Sequence, residues 1–122
     1  MGAREIDARP LEQTATGRLL DLHEGLCNRA RELMSKKNHD YTNAQSAKGG
    51  PFANFEHVAS FGVATVEQGM FARFTDKVAR LGTLLTRDIR VIDEKLEDTI
   101  LDIINYSILI AAYKAEKARV NS

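Results

Sequence analysis

Apolar residues recur at helical spacing from Asp93 to Lys117, and the rest of the chain is organised around this stretch. It contains no proline or glycine, so it predicts one continuous helix of about 36 Å at ~1.5 Å per residue. Asp93 is expected to cap the start of this helix. The stripe predicted to face the core consists of Leu96, Ile100, Ile103, Ile104, Ser107, Ile108 and Ala111.

The opposite side of the same helix carries a polar column at spacings of four, four and three residues. Its members are Glu94, Asp98, Asp102 and Asn105. The column runs on into Leu109 and Tyr113, which predicts a helix that is covered on more than one side. Because buried carboxylates need a metal, a cation or a proton, we expect the column to line a crevice or a subunit boundary. The alternative is a solvated acidic face.

The remaining sequence predicts three more helices and no strand. Residues 11–37 have helical period, and residues 51–61 form a short helix. A capping box at Thr65 opens a third helix that runs to about Thr86. Residues 36–51 have the composition of a loop. The predicted fold is therefore all-α, a compact bundle of about four helices, two of them long, with a loop-rich segment between helices 1 and 2.

Length and charge limit the possible functions. A chain of 122 residues has the size of a single domain, with residues 1–10 loose. Its net charge of zero gives no basis for bulk attraction to nucleic acid or to an anionic membrane. Because no apolar run reaches transmembrane length and no signal-peptide core is present, we expect a cytoplasmic protein with no membrane contact. The single cysteine, Cys27, is predicted to be a buried structural thiol.

A basic column is the clearest candidate for ligand chemistry. Arg73, Lys77 and Arg80 lie beside the apolar stripe of the third helix. Cations at this spacing can hold phosphates, arginine through forked hydrogen bonds and lysine as a point charge. The alternative is ordinary surface charge that flanks a core.

Four segments in order, KKNHDYT, PFANFE, RFTDKVARL and VIDEKLEDTILDIINYSIL, resemble the nucleotide modification associated domain 1 family. Its members are small all-α proteins of bacteriophages and their hosts, and the resemblance spans about residues 34–110. It implies a nucleotide-binding protein that acts on the nucleotide pool of an infected cell or evades host defence by sequestering a nucleotide or cyclic nucleotide. The residues expected to bind the nucleotide are Lys37, Asp40, Tyr41, Phe52, Asn54, Phe55, Arg73, Lys77, Arg80 and Asn105.

The last helix also resembles that of the MazG-like all-α nucleotide pyrophosphohydrolases, which hold Mg²⁺ with acidic residues on two helices. In this alternative the chain hydrolyses nucleoside triphosphates with Mg²⁺ as cofactor, and Glu94, Asp98 and Asp102 are the metal ligands. The chain departs from that pattern because residues 52–85 contain no E-x-x-E motif, so enzymatic activity stays open. A helical interaction module without a ligand is the third possibility.

The apolar surface of the last helix also predicts an assembly. Ile108 and Ile110 point about 160° apart at ~100° per residue, so one subunit buries one of these faces and leaves the other exposed. We expect a homodimer or a dimer of dimers with the 93–117 helix near a two-fold axis. Leu109 and Tyr113 would then lie at the interface, and the binding site could draw on two chains.

Overall fold

The structure, a computed structural model, describes residues 14–45, 50–86 and 93–121, with 38–45 and 121 described by their backbone alone. Four α-helices account for nearly all of this part of the chain, and no strand occurs in it. The helices are α1 (Ala15–Gln45), α2 (Ala53–Ser60), α3 (Val66–Leu85) and α4 (Glu94–Asn121). The all-α prediction is confirmed, with the two longest helices first and last. None of the described helices is long and apolar enough to cross a membrane.

α1 is longer than predicted. It runs unbroken for 31 residues, so the loop predicted from residue 36 is wrong as far as Gln45. Residues 36–45 contain neither proline nor glycine, and extending an existing helix is easier than starting a new one. The start of α1 is capped by Thr14, whose Oγ1 accepts a hydrogen bond from the Gly17 N–H at 2.8 Å.

The first half of α1 packs against few other residues of the described chain. Arg29 already forms an ion pair with Glu97, in the first turn of α4, at 2.7 Å. Residues before Arg29 therefore extend past the start of α4, and Leu19 and Leu22 are exposed. Cys27 is exposed for the same reason, so its predicted burial is wrong.

The starts of α3 and α4 follow their predicted caps. The Gln68 N–H donates to Thr65 Oγ1 at 3.0 Å, and the Thr65 N–H donates to Gln68 Oε1 at 2.9 Å, which completes the capping box. At the next helix the Leu96 N–H donates to Asp93 Oδ1 at 2.8 Å. Each cap satisfies N–H groups that the first helical turn leaves without intrahelical partners.

The core lies along α4, which packs against α1 and α3, while α2 packs on α3. The buried apolar side chains of the described residues are Ala30, Val66, Met70, Leu84, Leu96 and Leu101. Met70 is the one large side chain among them that is fully buried. The core is therefore narrow, and α3 contributes three of its six apolar residues, Met70 among them.

The second half of α4 turns a different face to the bundle than its apolar stripe predicted. Asn105 is buried, whereas Ile108 is 52% exposed and both Ser107 and Ala111 are exposed. The predicted core positions of these last three residues are wrong. A helix that is apolar nearly all round does not itself select its inner face, and here its neighbours approach from the side of the polar column.

Asn105 joins α4 to α1. Its Nδ2 donates a hydrogen bond of 3.0 Å to the carbonyl oxygen of Ala30, and both residues are buried. Burial of an amide costs free energy unless the amide has a hydrogen-bond partner, which Ala30 supplies here. The polar column thus supplies a structural contact at this position.

We expect Asn105→Ala to lower the free energy of unfolding by about 1–2 kcal/mol, because it removes a buried hydrogen bond. Ser107→Ala, two residues further along α4, is the control and should stay within about 0.5 kcal/mol because Ser107 is exposed. Urea denaturation measures both values. Equal midpoints for the two variants would show that the contact with Ala30 does not stabilise the fold.

A candidate nucleotide-binding cleft between α1, α2 and α4

A small cleft of about 100 Å³ lies where α1, α2 and α4 meet. It is lined by Met34, Lys37, Gly50, Pro51, Asn54, Phe55, Asp102, Asn105, Tyr106 and Leu109. The cleft brings together five residues that the sequence marked for a nucleotide or a metal: Lys37, Asn54, Phe55, Asp102 and Asn105. These residues come from three helices, so the cleft exists only in the folded chain.

α2 places an aromatic ring in this cleft. Gly50 has a φ of 134°, which favours glycine, and the chain turns there into α2. Phe55 packs edge-on against Tyr106, with ring centroids 6.4 Å apart and an interplanar angle of 79°. Phe55 also lies against Gly69 of α3, where an added Cβ would come within 3.3 Å of the ring. Because Gly69 has no side chain, the ring of Phe55 can pack against α3 at this position.

α3 supplies the positive charge next to the cleft. Lys77 Nζ lies 3.0 Å from Asp102 Oδ2, and the two side chains are only 17% and 23% exposed. The pKa of the Arg73 guanidinium is raised, chiefly by its hydrogen bond to Tyr106, with the charges of Asp76 and Asp102 adding to the effect. Lys77 is thus anchored on a residue of α4 that lines the cleft, and Arg73 lies near another, Tyr106.

The acidic column does not converge into a metal site. Glu94 and Asp98 are exposed, and Asp102 forms an ion pair with Lys77. Among the side chains that the structure describes, no three His, Cys, Asp or Glu residues lie close enough to hold a metal ion. Residues at spacings of four along one helix spread over about 12 Å, which is too far for one ion. Of the three predicted metal ligands, Asp102 alone lines the cleft.

A family model for nucleotide modification associated domain 1 matches residues 37–112. The chain belongs to this family. The matched range begins at Lys37, contains α2 and α3 and reaches the part of α4 that lines the cleft, so the resemblance seen in the sequence is confirmed. No curated protein and no solved structure matches the chain. The resemblance to the MazG-like pyrophosphohydrolases is not supported.

Other residues predicted to bind the nucleotide lie elsewhere in this nucleotide modification associated domain 1 chain. Phe52 packs on Tyr113, with ring centroids 5.2 Å apart, and lines a separate open groove of about 700 Å³. Arg80 is exposed and lines neither the cleft nor this groove. The predictions for Asp40 and Tyr41 fall on side chains outside those that the structure describes.

Sequence reasoning missed Tyr106, which lines the cleft, packs against Phe55 and raises the pKa of Arg73. Tyr106 lies four residues after Asp102, so it shares a helix face with a residue that was selected. This spacing was the feature of the sequence that could have identified Tyr106 as a residue of the cleft. In this family member the polar column therefore includes an aromatic ring at the level of the cleft.

Proposed function

We propose that this member of the nucleotide modification associated domain 1 family binds a nucleotide at the cleft. The base would contact Phe55 and Tyr106, and the phosphates would face Lys77 and Arg73. The observation that carries this proposal is an aromatic pair that lines one cleft, with Lys77 beside it on the cleft residue Asp102. Nucleotides need both features, since the base is planar and apolar and the phosphates are anionic.

The aromatic side of the cleft suits a base. Stacking of a base on an aromatic side chain contributes about 1–3 kcal/mol in single-strand binders. Asn54 lines the same cleft and carries an amide that can both donate and accept hydrogen bonds. A ring held between Phe55 and this amide would be recognised by shape and by its polar edge.

The size of the cleft limits what enters it. Pockets that enclose whole small molecules usually measure about 300–1,000 Å³, so a volume of about 100 Å³ takes one ring system or one phosphate group. We therefore propose that only part of the nucleotide enters, and that the remainder lies over the cations of α3. Together with Lys37, which lines the cleft, these two cations exceed the charges of Asp76 and Asp102 by one.

The test is isothermal titration with a panel of mono-, di-, tri- and cyclic nucleotides. Phe55→Leu should weaken the tightest nucleotide by about 5–30-fold, because it removes the stacking surface. Phe61→Leu is the matched control, since Phe61 is exposed just after α2 and does not line the cleft. We expect it to change the affinity by less than about twofold. The proposal is wrong if no nucleotide in the panel binds the unmodified protein.

A second candidate function rests on one observation, that the carboxylate of Asp102 lines the cleft. A Mg²⁺-dependent pyrophosphohydrolase could use this carboxylate together with the substrate's phosphates, since Mg²⁺ often takes only one or two protein carboxylates. We favour binding without hydrolysis because Lys77 already neutralises Asp102. Substitution of Asp102 separates the two functions, since a lost carboxylate would favour phosphate binding but abolish metal binding.

A further inference from the structure

The charged residues of α3 all lie on one side of the helix between residues 71 and 86. They are Arg73, Asp76, Lys77 and Arg80. At ~100° per residue these four positions fall within about 100° of the helix circumference. Lys77 and Arg73 show that this side faces α4 and the cleft. The outer side of α3 is therefore uncharged for about four turns, which is unusual for a helix face in water.

Large apolar side chains form one stripe on this uncharged side. They follow a spacing of three, four, three and four residues and comprise Phe71, Phe74, Val78, Leu81 and Leu85. Phe71, Val78 and Leu85 are 59%, 44% and 66% exposed. The rings of Phe71 and Phe74 stack, with centroids 6.2 Å apart. This alternating spacing is the one that two helices use when they pack along each other.

Small residues form a second stripe next to the first, at the same alternating spacing. They are Ala72, Thr75, Ala79, Gly82 and Thr86, and all five are exposed. Gly82 is informative because a Cβ there would meet nothing within 4 Å in the chain, unlike Gly69 beside Phe55. A mid-helix glycine costs about 1 kcal/mol relative to alanine. If another helix packs closely at this position, its backbone needs the space that a side chain on residue 82 would fill.

We infer that the uncharged side of α3 is the interface of a two-fold homodimer, packed on the same face of a second copy around Val78 and Ala79. A two-fold axis parallel to α3 sets the large stripe of each copy against the small stripe of the other. The face is thus complementary to itself, as an isologous interface requires. Phe71, Val78 and Leu85 then insert beside residues small enough to admit them.

The area and chemistry of the face fit a second copy of this chain. Four turns of exposed helix bury roughly 600 Å² per copy, so the pair approaches the ~1,200 Å² at which specific interfaces begin. The face offers no charge by which a different acidic or basic partner could be selected. The described part of the chain exposes eleven large hydrophobic residues and fully buries one, so further burial would complete a thin core.

This interface differs from the one that the sequence suggested. Leu109 lines the cleft and Tyr113 packs on Phe52, so both residues make contacts within one chain. The dimer itself stays a prediction, and the exposed stripes move its axis from α4 to α3. Because the cations of α3 point away from the stripes, the inference does not depend on nucleotide binding.

The first experiment measures mass by light scattering at micromolar concentration. We expect twice the chain mass of 13.6 kDa for the unmodified protein and a single chain mass for Val78→Glu. Val78 is already partly exposed, so the chain can fold with glutamate there. Val63→Glu is the control, because Val63 is exposed between α2 and α3 and lies outside the stripes. It should keep the dimer. Nucleotide affinity should be the same for Val78→Glu as for the unmodified protein.

The second experiment places a cysteine at the proposed crossing point. In a Cys27→Ser background, Val78→Cys should form a covalent dimer on oxidation, because two-fold symmetry brings each Val78 close to its copy. Arg80→Cys is the matched control on the same helix, and it should stay monomeric on a denaturing gel because Arg80 lies on the charged side.

Three results would overturn the inference. One is a monomeric mass for the unmodified protein. Another is a dimer that survives Val78→Glu, which would put the interface elsewhere. The last is crosslinking of Arg80→Cys as readily as Val78→Cys, which would show chance collision rather than a defined face.

Discussion

Replacing Met70 with alanine is expected to lower the free energy of unfolding by about 2–5 kcal/mol. Met70 is the largest fully buried side chain in the part of the chain that the structure describes. It lies on the inner side of α3, and the core around it is narrow. Removing its side chain leaves a cavity that the rigid helices α3 and α4 can close only in part, so transfer and cavity terms add.

Urea denaturation at one fixed protein concentration measures this loss, since the stability of a dimer depends on concentration. Met70→Leu is the matched control and should lose less than about 1.5 kcal/mol, because it conserves most of the volume. Val63→Ala, at an exposed position, should stay within about 0.5 kcal/mol. A Met70→Ala variant as stable as Val63→Ala would mean that the core does not centre on α3 and α4.

Asp102→Asn is expected to tighten nucleotide binding by about 5–30-fold, the equivalent of roughly 1–2 kcal/mol of Coulomb energy near a protein surface. The substitution keeps the shape of the side chain but removes the negative charge that now neutralises Lys77 at 3.0 Å. Lys77 then presents its full charge to a phosphate. Lys77→Met should have the opposite effect and weaken binding, because it leaves Asp102 to repel the phosphate.

The Mg²⁺-dependent hydrolase predicts the reverse for the same substitution, since an amide is a poor replacement for a metal-binding carboxylate. Asp102→Asn would then abolish pyrophosphate release, and EDTA would do the same to the unmodified protein. Asp98→Asn, one turn earlier on α4 and exposed, is the control in both experiments. If neither Asp102→Asn nor Lys77→Met changes the nucleotide affinity, the ion pair is not part of the binding site.

Local sequence rules predicted the helix starts well. The capping box at Thr65 and the cap at Asp93 both appear as expected. Such caps involve residues within three positions of each other, so their hydrogen bonds do not depend on the rest of the fold. The extent of α1 was harder to predict, because loop composition from residue 36 competes with the tendency of an existing helix to continue.

The candidate site was predictable in part. Lys37, Asn54, Phe55, Asp102 and Asn105 were selected from the sequence and do line one cleft. These residues lie on three different helices, and the sequence does not give the distances between helices. It therefore could not distinguish them from Phe52 and Arg80, which lie elsewhere. Phe52 and Phe55 are one helical turn apart, yet they pack against two different tyrosines of α4.

The sequence by itself determined the all-α class, the family and the starts of α3 and α4. The tertiary structure alone decided which face of α4 is buried. Because the second half of that helix is apolar nearly all round, hydrophobic burial could be satisfied by more than one orientation, and packing against α1 and α3 selected the side that carries Asp102 and Asn105. That selection exposes Ile108, pairs Asp102 with Lys77 and sets Tyr106 against Phe55. The cleft exists because of an orientation that hydrophobic periodicity does not specify.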